Sequence, residues 1–363
     1  MPPVPSAPRS PDRSPAPARI VFLDYLRIFA FASVLAGHKF AQPVQAAAAQ
    51  PGWAGMPARL LWPFIEGGGA GVVVFFLVSG YIITQVLQRE SAGVFLVRRA
   101  FRIYPLYILA VLAEWHFMQR GTPARALLAQ LLLIGDFTQT PHALAGVEWT
   151  LRLEMLFYLC MAAARACGWV QPARARTLLA ACAALALALH LGGPLTPYDS
   201  GLLAWARGYI SLYLPFLFIG SAFWLLERRA IAWPLALGYI AWVFALYYAG
   251  LRAWQPHWLH APFAALGVGL FALLWAARRR LPAHPAVRAL SELTYAIYLT
   301  HNWLYDELLR LGLQTSLPPA TAALTALALL LALCALLTHT IERPGVRLGR
   351  KLSKLIEKQA NPP

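Results

Sequence analysis

Charge is scarce in this sequence, and negative charge scarcest. Asp and Glu number 15 in 363 residues, and charged residues of both signs make up 13% against 59% hydrophobic. That balance excludes a soluble globular domain, which needs more polar surface to cover so many apolar side chains. Cysteine is also sparse. The four present, Cys160, Cys167, Cys182 and Cys334, lie in or beside apolar segments without C-x-x-C spacing. Neither a disulfide framework nor a zinc site is therefore indicated, and no metal is expected. No long-period repeat and no attached soluble domain can be read in the chain.

What is abundant is apolar sequence long enough to cross a bilayer. Ten runs are found, near 20–40, 69–88, 103–118, 147–168, 177–193, 205–226, 231–250, 258–277, 289–309 and 318–341. About 20 apolar residues span a hydrocarbon core of roughly 30 Å, so the expected fold is all-α, a polytopic transmembrane bundle of about ten spans. The segment 126–136 is too short to span and reads as an interfacial or re-entrant piece. Net charge is +16, and the basic residues sort by loop: 22 Lys and Arg fall on the side that would hold both termini. The positive-inside rule then predicts both termini cytoplasmic, with no nucleic-acid partner needed to explain the charge.

Residues 1–19 carry seven prolines and little that could be buried, which predicts a disordered cytoplasmic tail and not a signal peptide. Residues 20–345 form the expected membrane domain. The basic stretch 346–363 reads as a helix lying on lipid headgroups.

Function is read from the polar residues that a membrane makes expensive. In the first span, Arg27 and His38 are eleven residues apart. At 100° per residue they share a face to within about 20°, separated by roughly 16 Å along the axis. Asp24 lies one turn before Arg27 and can neutralise it. A blander reading has Arg27 snorkelling to headgroups and His38 sitting at the far interface. The second span contains FFLVSGY, with Ser79 and Tyr81 near its cytoplasmic half. A short loop then presents Arg98, Arg99 and Arg102, stopped by Pro105, a compact arrangement for phosphates.

Glu148, Arg152 and Glu154 occur in the fourth span. Arg152 and Glu154 point to different faces, so at least one must meet a partner on another helix. The ninth span places His301 mid-span, with Tyr295 and Tyr298 before it. His301 also opens an H-x-x-x-x-D pattern with Asp306, which as two common residues five apart carries little weight. Glu342, Arg343 and Pro344 mark the end of the last span, where Pro344 terminates the helix.

These segments together resemble the acyltransferase-3 family of bacterial membrane O-acyltransferases, from about residue 20 to 345. Arg27 and His38 match its R-x10-H pair, FFLVSGY its FF-x-x-SGY, and Arg98 to Pro105 its RR-x-x-R-x-x-P. Trp149 to Tyr158 match W-S-L-x-x-E-x-x-F-Y, with Thr150 for serine. Thr294 to His301 match S-Y-x-x-Y-L-x-H, again with threonine for serine, and Ile341 to Pro344 match I-E-R-P. Six motifs in order on the right spans are specific where each alone is weak.

The resemblance implies transfer of an acetyl group from acetyl-CoA to a hydroxyl of a surface polysaccharide or its lipid-linked repeat unit, in the bacterial inner membrane. Polysaccharide-assembly proteins and membrane lipids are the partners it suggests. His38 is then the general base, with a covalent acetyl-His38 relay as the competing mechanism. Arg27 orients the donor or stabilises negative charge on the thioester oxygen. Arg98, Arg99 and Arg102, with Ser79 and Tyr81, bind acyl-CoA. Glu154 pairs with Arg27, or orients His38 or the acceptor. Asp24, Tyr295, His301, Glu342 and Arg343 form a supporting shell. Some family members carry a hydrolase-like C-terminal domain, and its absence suggests direct transfer or hand-over to a separate partner. The alternative functions are a transporter or flippase of a lipid-linked glycan, against which stands the lack of an inverted repeat, and an acyltransferase for a lipid or protein acceptor.

Overall fold

The structure, a computed structural model, describes residues 19–360 except 119, 120, 122, 139, 141, 195–207 and 316, and the side chains of 358–360. The proline-rich stretch before Arg19, and Arg120 and Arg207, lie outside the described residues. Every regular element among those described is helical. Six helical segments are long and apolar enough to cross a membrane: 21–39, 56–86, 172–191, 209–227, 233–254 and 319–357. The chain is thus a helical membrane protein.

In chain order the helices are α1 (Val21–Lys39), α2 (Ala41–Ala48), α3 (Met56–Ile65), α4 (Gly69–Val86), α5 (Ala92–Met118), α6 (Ala124–Leu131), α7 (Trp149–Ala166) and α8 (Ala175–Leu191). They continue as α9 (Tyr209–Glu227), α10 (Trp233–Trp254), α11 (Phe263–Ala276), α12 (Pro285–Thr300), α13 (Trp303–Gln314), α14 (Pro319–Leu337) and α15 (Arg343–Ala360). A π-helical turn, Thr338–Glu342, joins the last two.

α4 is the central helix and packs on α1, α9 and α11. It gets close to α9 because both lack side chains at the crossing. A Cβ on Gly80 would lie 1.7 Å from the Leu217 carbonyl oxygen, and one on Gly220 would lie 2.1 Å from that of Leu77. Small residues at a crossing give membrane helices the packing contacts that hydrophobicity cannot supply between them. α9 is apolar all round and buried along nearly its whole length. By contrast α14 exposes Leu324, Leu329, Leu333 and Leu336, an apolar face of the kind lipid covers.

Three sequence expectations need correction. Pro344 does not terminate the last helix, because α14, the π-helical turn and α15 follow one another without a break from Pro319 to Ala360. Arg98, Arg99 and Arg102 do not form a loop stopped by Pro105; α5 begins at Ala92 and carries all four residues within one helix. α15 packs against this stretch, with Gly345 directly on the Pro105 ring. The run 289–309 is also not one span. It breaks after Thr300, so His301 caps α12 at a turn and does not sit mid-span. There the Asn302 carbonyl accepts from Lys39 Nζ at 2.8 Å and the Asn302 amide donates to the Ala145 carbonyl at 2.8 Å, anchoring the break. The short segment near 126–136 is α6 followed by a 3-10 turn at Gly135–Thr138, and it does not span.

Because the α4–α9 crossing has no spare room, Gly80→Val is expected to destabilise the fold by about 3 kcal/mol or more, against under about 0.5 for Gly93→Ala, whose Cβ meets open space. Thermal unfolding of detergent-purified protein followed by size exclusion measures the difference; equal melting of the two variants would refute the close contact.

Candidate active site

One face of α1 lines two cavities in sequence. Arg27, Ala30 and Val34 line an inner chamber of about 90 Å³, and Val34 and His38 line an outer one of about 210 Å³. Val34, Val72 and Tyr298 belong to both walls, so the chambers meet at these three side chains. The polar stripe expected on α1 is therefore real, and its two ends serve different spaces.

The inner chamber is a basic mouth above an apolar throat. Arg27, Arg99 and Arg102 supply the charge, and Phe75, Val78 and Ile82 supply the apolar wall. Arg27 reaches Asp24 at 3.4 Å, but Asp24 is shared: Arg19 donates to it at 2.6 and 3.0 Å and Ser291 at 2.7 Å. Arg102 pairs with buried Glu342 at 2.9 Å. Arg99 has no carboxylate partner among the described residues, and its guanidinium lies 5.6 Å from the Phe95 ring centre. Deeper in, Glu154 accepts hydrogen bonds from Ser79 and from Tyr158, each at 2.6 Å. It lines the chamber that Arg27 lines, with no ion pair to Arg27 or His38. Tyr295 also lines the chamber and donates to the Ile103 carbonyl at 2.8 Å.

Six candidates line neither chamber: Asp24, Tyr81, Arg98, His301, Glu342 and Arg343. Tyr81 donates to Glu227 at 2.9 Å, in a neighbouring cleft. Arg98 pairs with Glu90 at 2.7 Å and donates to Ser353 of α15 at 2.8 Å. Arg343 joins Glu292 at 2.6 Å at the mouth of the inner chamber's basic end.

At the outer chamber His38 Nδ1 lies 3.0 Å from His301 Nε2. His301 is buried, and its Nδ1 faces only carbonyl oxygens, Tyr298 at 2.8 Å and Ile297 at 3.2 Å. A carbonyl can only accept, so neutral His301 carries its proton on Nδ1 and offers a lone pair at Nε2. His38 must then donate from Nδ1, which leaves the lone pair of His38 Nε2 free. This is the form a general base requires. Asp306 takes no part, since it pairs with Lys39 at 2.7 Å.

Five residues that sequence reasoning left without a site role build the outer chamber's loop. Arg152 is 2% exposed and its guanidinium contacts both Asp136 and, at 3.1 Å, Glu148. Glu148 also accepts from the Ala143 amide at 2.6 Å and meets His142 at 3.0 Å. Buried Glu114 accepts from the amides of Leu144 and, at 2.8 Å, Ala145. Leu144 and Ala145 sit at φ 54° and 50°, a region disfavoured for side chains, and the carboxylates hold them there. Ala145 to Val147 then form the outer chamber's wall. The signal for this cluster was Arg152 itself, a cation two residues from Glu154 and on a different face, so that the two could not simply pair.

Removing that cation leaves Asp136 and Glu148 buried without it. Arg152→Met is expected to cost about 3–5 kcal/mol, and Glu114→Gln about 1–3 because an amide has one acceptor where two N–H groups need one. Chemical or thermal unfolding in detergent reads both; wild-type stability in Arg152→Met would overturn the pairing.

The chain matches the family described as "Acyltransferase domain" over residues 20–339. It is 31% identical over 317 residues to the exopolysaccharide production protein ExoZ of Rhizobium meliloti (strain 1021), covering 78% of this chain and 91% of that one. It is 27% identical to nodulation protein 10 of Rhizobium leguminosarum bv. viciae, over 91% of this chain and 94% of the relative. An O-acetyl transferase of Shigella phage Sf6 is 29% identical over 157 residues, 38% of this chain and 43% of that protein. No solved structure matches.

Proposed function

The chain belongs to the acyltransferase-3 family and is an acyltransferase, and from that premise we propose that it transfers acetyl from acetyl-CoA to a hydroxyl of a surface polysaccharide or its lipid-linked repeat unit. The observation that carries this reading is the pair of adjacent chambers with a shared wall, one basic and one holding the free imidazole lone pair. With both termini cytoplasmic in an inner membrane of about ten spans, the basic chamber opens to the cytoplasm, where acyl-CoA is. The outer chamber then opens to the side where surface glycan is assembled. Membership of an acyltransferase family disfavours a carrier of intact glycan.

The acceptor class is supported by the outer chamber's lining. Trp149, Tyr209, Tyr213 and Trp258 line the same chamber as His38, and Glu66 and Asn302 add hydrogen-bonding groups. Flat aromatic walls with a few polar groups suit a sugar ring, which has apolar C–H faces and hydroxyl edges. The exopolysaccharide role in the name of the ExoZ relative points the same way.

In the proposed reaction, Arg99 and Arg102 hold the donor's phosphates and the pantetheine arm threads past Phe75 and Tyr298. The thioester reaches the end of α1 near His38, roughly 16 Å from Arg27. His38 Nε2 takes the proton of the sugar hydroxyl as its oxygen attacks the thioester carbonyl. The tetrahedral oxyanion collapses, the C–S bond breaks, and the departing thiolate takes the proton back from His38. The His301 pair keeps His38 in the correct tautomer and steadies the imidazolium while it exists. Arg27, inside the donor path with Asp24 beside it, orients the donor and adds positive potential at low dielectric. Glu154, held by Ser79 and Tyr158, is a fixed acceptor for the amide-rich arm.

The test is O-acetyl content, by NMR, of surface polysaccharide from a deletion strain complemented with wild type or variants. His38→Ala is expected to lower transfer by about 10²–10⁴-fold at wild-type membrane abundance. Undiminished acetylation in the deletion strain, with reduced polymer export, would overturn the enzyme reading. In a purified assay His301→Leu is expected to lower kcat by about 10²-fold. His301→Gln, whose side-chain carbonyl can accept the same His38 N–H, should restore part of it. Equal loss in both variants would remove the tautomer role from His301.

A further inference from the structure

The donor residues above leave a larger feature of the same end unexplained. A cleft of about 660 Å³ adjoins the inner chamber and shares Arg27 and Arg102 with it. Its remaining walls come from Arg19, from α12, with Arg288 and Glu292, from the π-helical turn, with Glu342, and from α15, with Arg343, Arg347 and Arg350. Glu292 is already committed to Arg19, Arg288 and Arg343, at 2.8, 3.1 and 2.6 Å. Glu342 is committed to Arg102. Arg347 and Arg350 are exposed and have no carboxylate partner among the described residues. The cleft thus has uncompensated positive charge at a fixed place, a setting that recruits phosphate.

α15 is held in that place by α5. Cβ atoms on Gly345 and Gly349 would lie 2.9 Å from Pro105 and 2.6 Å from Phe101, and Ser353 accepts from Arg98. With these three residues against α5, Arg343, Arg347 and Arg350 fall within an arc of about 60° on another face and line the cleft. The apolar residues Leu348 and Leu355 are exposed on a third face, which is free to rest on lipid. The sequence expectation of a helix that merely lies on headgroups accounts for that third face and not for the arginines.

We propose that this cleft is the subsite for the nucleotide end of the donor, with Arg347 and Arg350 on the 3′-phosphate of coenzyme A while Arg99 and Arg102 take the diphosphate. It deepens the acyl-CoA reading and rests on it. A lipid headgroup offers the same phosphate chemistry, but Arg27 and Arg102, which line both the cleft and the inner chamber, favour a ligand with a long arm to place beside them. Arg98, which the sequence motif puts beside Arg99, acts in this arrangement through α15 and not on the ligand.

The test is direct binding of CoA and of 3′-dephospho-CoA to the full chain in nanodiscs of zwitterionic lipid, by calorimetry, for wild type and Arg347→Ala/Arg350→Ala. Wild type is expected to prefer CoA, and the double variant to bind CoA about tenfold more weakly and to lose the preference. Arg347→Lys/Arg350→Lys should restore part of it, which a merely misfolded alanine variant would not explain. Retention of wild-type affinity and preference by the alanine variant overturns the subsite while leaving the donor reading intact. If wild type binds neither compound, the donor reading fails and the subsite with it. If only binding of phosphatidylglycerol, added to the nanodiscs, is lost in the variant, the arginines hold a lipid headgroup and the proposal is wrong.

Discussion

A charged side chain inside a helical bundle must either find its counter-charge or face a space that water and ligands can enter. The polar groups of this chain divide by that rule. Arg152 meets Asp136 and Glu148, and Glu114 is met by two backbone amides, with all four carboxylate and guanidinium groups out of solvent's reach. Such groups build structure: here they clamp a backbone loop in a left-handed conformation beside the outer chamber. Arg27, Arg99, Arg102 and His38 are instead only partly satisfied, and each lines a cavity. The same solvent constraint therefore separates the scaffold from the chemistry without any appeal to motif.

The scaffold has to be stiff because the proposed reaction joins two substrates from opposite ends. α4 is in backbone contact with α9 through Gly80 and Gly220, and a hydrogen bond from the Gly71 amide to Ser33 ties it to α1. These contacts leave no freedom for α1 to slide against α4, so the distance from Arg27 to His38 is set by one rigid helix. Tyr298 occupies the junction. Its ring lies parallel to Phe75 at 5.9 Å, and its hydroxyl bonds to the Val147 carbonyl and to Thr150. Threonine at 150, where the family pattern has serine, keeps that hydroxyl contact and adds only a methyl group. Substrate specificity of the two chambers can thus vary while this waist is kept.

Much of this was legible in the sequence because membrane cost makes intramembrane polar residues conspicuous. The Arg27 and His38 stripe, the neutralisation of Arg27 by Asp24, and the need of Arg152 or Glu154 for a partner elsewhere all follow from spacing and charge. What was not legible depends on tertiary contacts. The arginines at 98, 99 and 102 read as a loop because Pro105 usually ends a helix, whereas α5 runs through Pro105 with α15 packed against it. His301 read as mid-span because apolar periodicity runs on through residue 309; the break comes from bonds that Lys39 and Ala145 make with Asn302. Likewise nothing in the spacing of Arg98 says that it faces α15, or that Tyr81 faces Glu227.

The two histidines show most clearly how an arrangement of ordinary parts acquires a direction. His301 has two carbonyls at one nitrogen and one imidazole at the other, so the hydrogen-bond chain runs one way, from His38 to His301 to the end of α12. A carboxylate in the place of His301 would fix the same tautomer, but it would bring a net charge to a buried site with no nearby cation to match it, Lys39 being taken by Asp306. A neutral imidazole fixes the tautomer at lower desolvation cost and becomes a dipolar partner only when His38 is protonated. The break in the ninth apolar run is what makes this possible. It leaves the Tyr298 carbonyl without the backbone N–H that an unbroken helix would have given it, while the Ile297 carbonyl still accepts from the His301 amide at 2.8 Å.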